Sequence, residues 1–256
     1  MSWYYTRQGY AMVVRDGEPT GHWFGGEPYH TGAQCPVCRV PLLLLADLDC
    51  TRIRGKEDAK LFNSLKRLPL YYCWRCCAEH LTYLIIDGKR IRVLRNEGEN
   101  EGEDFPYEKY PRSFPRRPVA LVPLDYKLAK LLAVYQEIDR YWLSDQDRRS
   151  ISRRMTKFRH PGFSPRDVNR HQIGGLLALI QGHERVGCPN PKCKAHRSFK
   201  AGYATRMKEL AVLCNDPQSG LPMVETSEGP QWNEWVQVVF WVCEECLAIA
   251  ASNRCD

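Results

Sequence analysis

The sequence predicts an α+β fold made from a duplicated unit: two antiparallel-sheet lobes, each with a zinc-ribbon-like site, and a helical insert between them. Two observations predict it. His22-Trp-Phe-Gly-Gly26 recurs as His171-Gln-Ile-Gly-Gly175. Each copy is then followed by two cysteine pairs, Cys35/Cys38 with Cys73/Cys76 and Cys188/Cys193 with Cys243/Cys246.

The copies agree in order as well as in residue type. Phe24-Gly25-Gly26 aligns with Ile173-Gly174-Gly175, and Cys35/Cys38 with Cys188/Cys193. Leu45-Ala46 then aligns with Leu210-Ala211, and Tyr71-Tyr72-Cys73 with Trp241-Val242-Cys243. Four matches in one order indicate duplication, and two copies are too few for a solenoid. The expected division is a first lobe at 1–94, an acidic and proline-rich linker at 95–123, a helical insert at 124–166 and a second lobe at 167–256.

Along the first lobe, residues 12–14 read as a strand ended by Asp16-Gly17. Residues 22–31 read as a loop punctuated by Gly25, Gly26 and Pro28. The apolar run 42–48 is a strand, and 68–72 leads into the second cysteine pair. Residues 83–86 and 90–94 flank Asp87-Gly88, which suits a primed hairpin turn. Glu97, Glu99, Glu101, Glu103, Asp104 and Glu108, then Pro106, Pro111, Pro115 and Pro118, mark the linker. Leu124, Leu128, Leu131, Leu132, Tyr135, Ile138 and Trp142 recur at helical spacing. In the second lobe, 207–213 is apolar and fits a strand or short helix, and 235–242 is rich in β-forming residues.

The chain has 256 residues and 43% hydrophobic residues, enough for a packed core. Met1-Ser-Trp-Tyr-Tyr-Thr-Arg7 lacks the pattern of a secretory leader, and no apolar run is long enough to span a bilayer. A cytoplasmic protein without membrane attachment is therefore expected. In that reducing setting twelve cysteines, largely in pairs, point to metal rather than disulfides. A Cys-x-x-Cys turn aims two thiolates at one ion, and two such turns complete a tetrahedron. Two structural zinc ions are expected, one on Cys35, Cys38, Cys73 and Cys76 and one on Cys188, Cys193, Cys243 and Cys246. Two choices stay open: Cys77 beside Cys76, and His196 in place of Cys193. Four thiolates leave no open position for substrate or water, so no catalytic residue is assigned.

His22 and His171 read as parts of a repeated turn. Neither Gly-Gly pair fits a phosphate-binding loop, so no nucleotide is expected. The net charge is +7, from 37 basic and 30 acidic residues. Part of the excess lies in Arg148, Arg149, Arg153, Arg154, Lys157 and Arg159, a segment that could meet a polyanion or an acidic partner surface.

The motifs Phe24-Gly-Gly-Glu-Pro28, Cys35-x-x-Cys38, Pro41-Leu42, Leu45-Ala-Asp-Leu-Asp49 and Leu70-Tyr-Tyr-Cys73 resemble the YwqG-like family of bacterial proteins of unknown function. His171-Gln-Ile-Gly-Gly175, Met207-Lys-Glu-Leu-Ala211 and Val239-Phe-Trp-Val-Cys-Glu-Glu-Cys246 extend the resemblance into the second half. A remoter similarity is to programmed-cell-death-two proteins, which are ribosomal-protein chaperones. Asp47 stands where the family often has Gln, and Leu176-Leu177 replaces a usual Tyr-Pro. The resemblance implies a duplicated α+β fold, no established catalytic residues, and a place among proteins that include immunity proteins of toxin systems. The resulting expectation is a protein-interaction module whose partner is a toxin or a client protein. The alternative is a nucleic-acid binder using the basic segment at 140–170.

Overall fold

The computed structural model describes residues 9–17, 20–53, 65–76, 80–96, 111–124, 170–175, 184–200, 207–216 and 236–255, with short pieces at 145–146, 149, 153, 177, 179–180, 219–221, 225–226 and 229–230. The fold is mostly antiparallel sheet with few helices, and the sheet curls into a half-barrel. Its strands are β1 (Tyr10–Val14), β2 (His22–Gly26), β3 (Leu43–Asp49), β4 (Arg67–Tyr72), β5 (Leu81–Asp87), β6 (Arg90–Asn96), β7 (Phe114–Pro123), β8 (Gln172–Ile173), β9 (Lys208–Cys214), β12 (Val236–Val242) and β13 (Ala248–Cys255). Their order is β4-β3-β2-β7-β1-β8-β9-β12-β13-β5-β6. A separate two-stranded ribbon pairs β10 (Glu225–Thr226) with β11 (Gly229–Pro230). A helix, α1 (Lys194–Lys200), follows Cys193.

The apolar runs became strands where expected. Three readings changed. Residues 22–26 form β2 rather than a loop, because Gly25 and Gly26 take φ of 62° and 104° within a bulged pairing to β7. A side chain at Gly25 would put its Cβ 2.4 Å from the Pro115 carbonyl, so only glycine fits. The expected linker contains β7, which joins β2 to β1. Pro115 and Pro118 fall where β2 is its only paired strand, since pairing with β1 starts at Val119, and Pro123 ends the strand opposite Tyr10 of β1. β13, missed in the sequence, follows the last cysteine pair. Most of the expected helical insert lies outside the described residues.

One continuous sheet passes through both halves of the chain, so the halves do not have a sheet each. Nor does sheet order follow the expected division. β5 and β6 come from the first half, yet β5 pairs with β13 of the second.

Strand register nevertheless repeats between the halves. Trp23 faces Asp47 and Phe24 faces Ala46, as Gln172 faces Val212 and Ile173 faces Ala211. Leu43, Leu44 and Ala46 face Tyr72, Tyr71 and Leu70, as Lys208, Glu209 and Ala211 face Val242, Trp241 and Phe240. Both ladders skip one residue at the same place, Leu45 and Leu210.

Tyr83 draws the two edges of the half-barrel together. From β5, near one edge, its hydroxyl donates to the Pro69 carbonyl at 2.9 Å and accepts the Tyr71 amide at 3.0 Å. Both groups belong to β4 at the opposite edge. A parallel bridge of Thr31 to Arg90 adds a second tie. At the neighbouring Gly32 a Cβ would lie 2.2 Å from the Ile91 carbonyl.

Two apolar clusters divide the interior. Along β12, Val236, Val238, Phe240 and Val242 join the larger one, and Val239 and Trp241 join the smaller. This alternation puts the clusters on opposite faces of β12. Cys35, Cys73 and Cys76 belong to the first cluster, and Cys188, Cys193 and Cys243 to the second.

Candidate metal centres

The first quartet is built by two turns. Cys35 and Cys38 sit on a loop between β2 and β3, in which the Cys35 amide donates to the Val40 carbonyl and the Arg39 amide to the Cys35 carbonyl. This knuckle forces Arg39 to φ 62°. Cys73 and Cys76 follow β4 on a short 3-10 turn, Trp74–Cys76. In the second quartet, Cys243 and Cys246 use the knuckle seen at Cys35. The Cys243 amide donates to Ala248, the Leu247 amide donates to Cys243, and Leu247 takes φ 58°. Cys188 and Cys193 span a wider turn, closed by the Cys193 amide donating to the Asn190 carbonyl.

Within each quartet all four sulfurs lie within 4.8 Å of one another. Cys35 to Cys76 and Cys38 to Cys73 are each 3.7 Å, while Cys188 to Cys246 is 3.6 Å and Cys193 to Cys243 is 3.8 Å. A tetrahedron with metal–sulfur bonds of about 2.3 Å has edges of about 3.8 Å. A disulfide would need about 2.05 Å, and these cysteines are free. Both quartets can therefore hold a metal ion. No family model, curated protein or solved structure matches the chain.

The electrostatics favour a cation. Hydrogen bonding from Cys73 pulls the Cys35 thiol below its ordinary range, and the same contact pushes Cys73 up. Cys243 and Cys188 form the matching pair, with Cys243 lowered and Cys188 raised. Four close sulfurs cannot all ionise without a counter-charge, and a divalent ion supplies it. Each quartet also receives one amide: Asn96 Nδ2 donates to Cys35 Sγ at 3.0 Å, and the Asn190 side chain hydrogen-bonds Cys246. Neither asparagine was identified from the sequence. Asn96 is adjacent to the site only because β6 runs back past the first knuckle.

At one of the two open ligand choices, the structure groups Cys193, and not His196, with the other three sulfurs. His196 turns its Nδ1 to the Cys188 carbonyl at 2.6 Å, bracing the knuckle, and Cys193 completes the quartet. At the other site Cys76 completes the quartet, and Cys77 lies outside the described residues. Among the basic residues, Arg149 and Arg153 are exposed and helical, while Arg148, Arg154, Lys157 and Arg159 lie outside the described residues.

His22 and His171 make the same bond. His22 Nδ1 accepts the amide of Asp49, the last residue of β3, at 3.1 Å. His171 Nδ1 accepts the amide of Cys214, the last residue of β9, also at 3.1 Å. Each therefore braces a strand end. His171 Nε2 also lies 3.3 Å from Asp216, within ion-pair distance but not aligned as a hydrogen bond.

A cleft of about 690 Å³ opens beside β2, β3 and β7, lined by Tyr29, Asp47, Phe114 and Arg116 among others. Asp47 is engaged there already: Arg67 approaches its carboxylate at 3.0 and 2.7 Å. The pair went unnoticed in the sequence because its members are twenty residues apart on adjacent strands. Among the described residues, no helix is long and apolar enough to cross a membrane.

Proposed function

We propose that the chain is a duplicated, zinc-stabilised scaffold that binds another protein in the cytoplasm and performs no catalysis. Its partner is a toxin or a client protein, as the resemblance to YwqG-like proteins implies. The observation that carries this reading is the pair of closed quartets. Sulfur spacing of 3.6–3.8 Å suits tetrahedral zinc, and four thiolates leave no coordination position for a substrate. Duplication is supported by the repeated register, the repeated bulge and the paired histidine bonds. Free cysteines fit a reducing compartment.

Purification from the native host under zinc-preserving conditions tests the reading. A stoichiometric protein partner and two zinc ions per chain are expected. Absence of any stoichiometric partner, or a single ion with a water ligand, overturns it.

A second reading, nucleic-acid binding through the basic segment, draws on the exposed helical Arg149 and Arg153. It requires affinity that falls steeply with salt, because phosphate contacts release counterions. Absent binding to single- and double-stranded probes at low salt removes it.

A further inference from the structure

We infer that the first metal centre carries a docking pocket for the carboxylates of an acidic peptide segment, held by Arg39, Arg75 and Arg112. The inference deepens the protein-binding reading and rests on it. Three separate segments supply the arginines: the first knuckle, the 3-10 turn and the approach to β7. They line one pocket of about 290 Å³ with Val40, Pro41 and Leu43, and no acidic side chain lines it. Among the described residues none of the three guanidinium groups has an ion-pair partner. Three permanent positive charges gathered there exceed the two net negative charges that four thiolates around one divalent ion carry, and an anion takes up the excess.

One further observation points to a ligand. Arg75 Nε is buried with no hydrogen-bond partner, an unmet donor on a side chain that lines the pocket. The left-handed φ of Arg39 belongs to the knuckle, since Leu247 shares it, so glycine can stand there without loss. The lining also selects between ligands. Trp74 is 2% exposed and packs edge-on against Tyr72, so it offers no face for base stacking. Val40, Pro41 and Leu43 suit the methylenes of a glutamate, whose carboxylate then meets a guanidinium fork. Compensation of a metal–thiolate charge is the rival role for these arginines. None of the three donates to a sulfur; at Cys35 that bond comes from Asn96.

The chain itself carries Glu97, Glu99, Glu101, Glu103, Asp104 and Glu108 between Asn96 and the pocket residue Arg112. These six lie outside the described residues, and their carboxylates could compete for the pocket. The test therefore uses two zinc-loaded full-length proteins: the native sequence and a variant with all six changed to Gln or Asn. Anisotropy of a labelled hexaglutamate peptide is measured at low salt. Binding is expected at least to the neutralised variant. Adding Arg39→Gly and Arg112→Gln should weaken it tenfold or more with two ions retained, and Arg39→Gly alone should not lower the thermal midpoint. The inference is overturned by no binding to either protein, by binding indifferent to the arginine changes, or by loss of one ion when they are made. Tighter binding of inorganic phosphate or a single-stranded oligonucleotide than of the peptide also overturns it. If a native partner is captured equally by the native chain and the arginine variant, the scaffold reading stands and this pocket falls.

Discussion

At the scale of single residues, the paired histidines show what a motif can and cannot disclose. Their recurrence before Gly-Gly was visible in the sequence, but the repeated turn expected there is, at His22, the start of strand β2. The bonding partners were not visible, because Asp49 and Cys214 come near only when β2 and β8 pair with β3 and β9. Burial gives this bond a pH signature. His22 is 4% exposed and its pKa is lowered to about 4, chiefly by burial and against the pull of Asp49. The unfolded ring titrates near 6.5. Between those values the unfolded chain holds a proton that the folded chain refuses. The contribution is therefore complete above about pH 6.5 and is lost as pH falls toward 4. Protonation of Nδ1 also removes the acceptor for the Asp49 amide. Acid displaces metal from thiolates in the same range, so one variant must separate the effects. Asparagine at position 22 offers an oxygen acceptor that does not titrate. In denaturant titrations from pH 7 to 4.5, His22→Asn should lose stability less steeply than the native chain, by at most about 1.4 kcal/mol per pH unit. Equal slopes would show that His22 does not contribute.

At the scale of elements, legibility followed side-chain chemistry. β3, β4, β9 and β12 were readable because they are long apolar runs, and the β5–β6 hairpin because Gly88 breaks two of them. Its turn, however, is Gly88-Lys89 without the positive φ of a primed turn, and Asp87 ends β5 and accepts the Lys89 amide. β13 was not, since Ala248, Ala250 and Ala251 are poor strand formers that succeed only by being buried between β12 and β5. β7 was hidden by Pro115 and Pro118, which are tolerated where only one neighbour pairs. The cysteine quartets were readable from spacing alone, whereas Asn96, Asn190 and the arginine trio depend on topology. Closure of the half-barrel could not be foreseen either, because the Tyr83 phenol and the Thr31–Arg90 bridge meet their partners only once the sheet has curled. Tyr83→Phe keeps the ring but leaves the Tyr71 amide and the Pro69 carbonyl of β4 without that partner. Leaving buried groups unsatisfied costs about 1–3 kcal/mol. The variant should be destabilised by about that amount, and the Tyr71 amide should exchange hydrogen markedly faster. Unchanged exchange at Tyr71 would mean that the sheet edges close without the phenol.

At the scale of the molecule, the repeat in the sequence suggests two separable lobes, and the sheet argues for one cooperative unit. β8 pairs with β1, and β5 of the first half pairs with β13 of the second, so each half completes the other's sheet. β12 carries the large cluster on one face and the small cluster on the other. Damage at the second quartet is thereby transmitted to the core that contains the first. The energies are large enough for this to matter. Structural zinc binds isolated finger peptides with roughly 10–16 kcal/mol, comparable to the roughly 5–15 kcal/mol stability of a whole domain. Cys243→Ser should reduce bound metal from two ions to one, read by native mass spectrometry. Hydrogen-exchange protection should then fall together in β12 and in β3, although β3 lies in the other half. Thermal unfolding should remain a single transition at a lower midpoint. Loss of protection in β12 with β3 unchanged would instead identify two independently stable lobes, and the continuity of the sheet would then carry no energetic coupling.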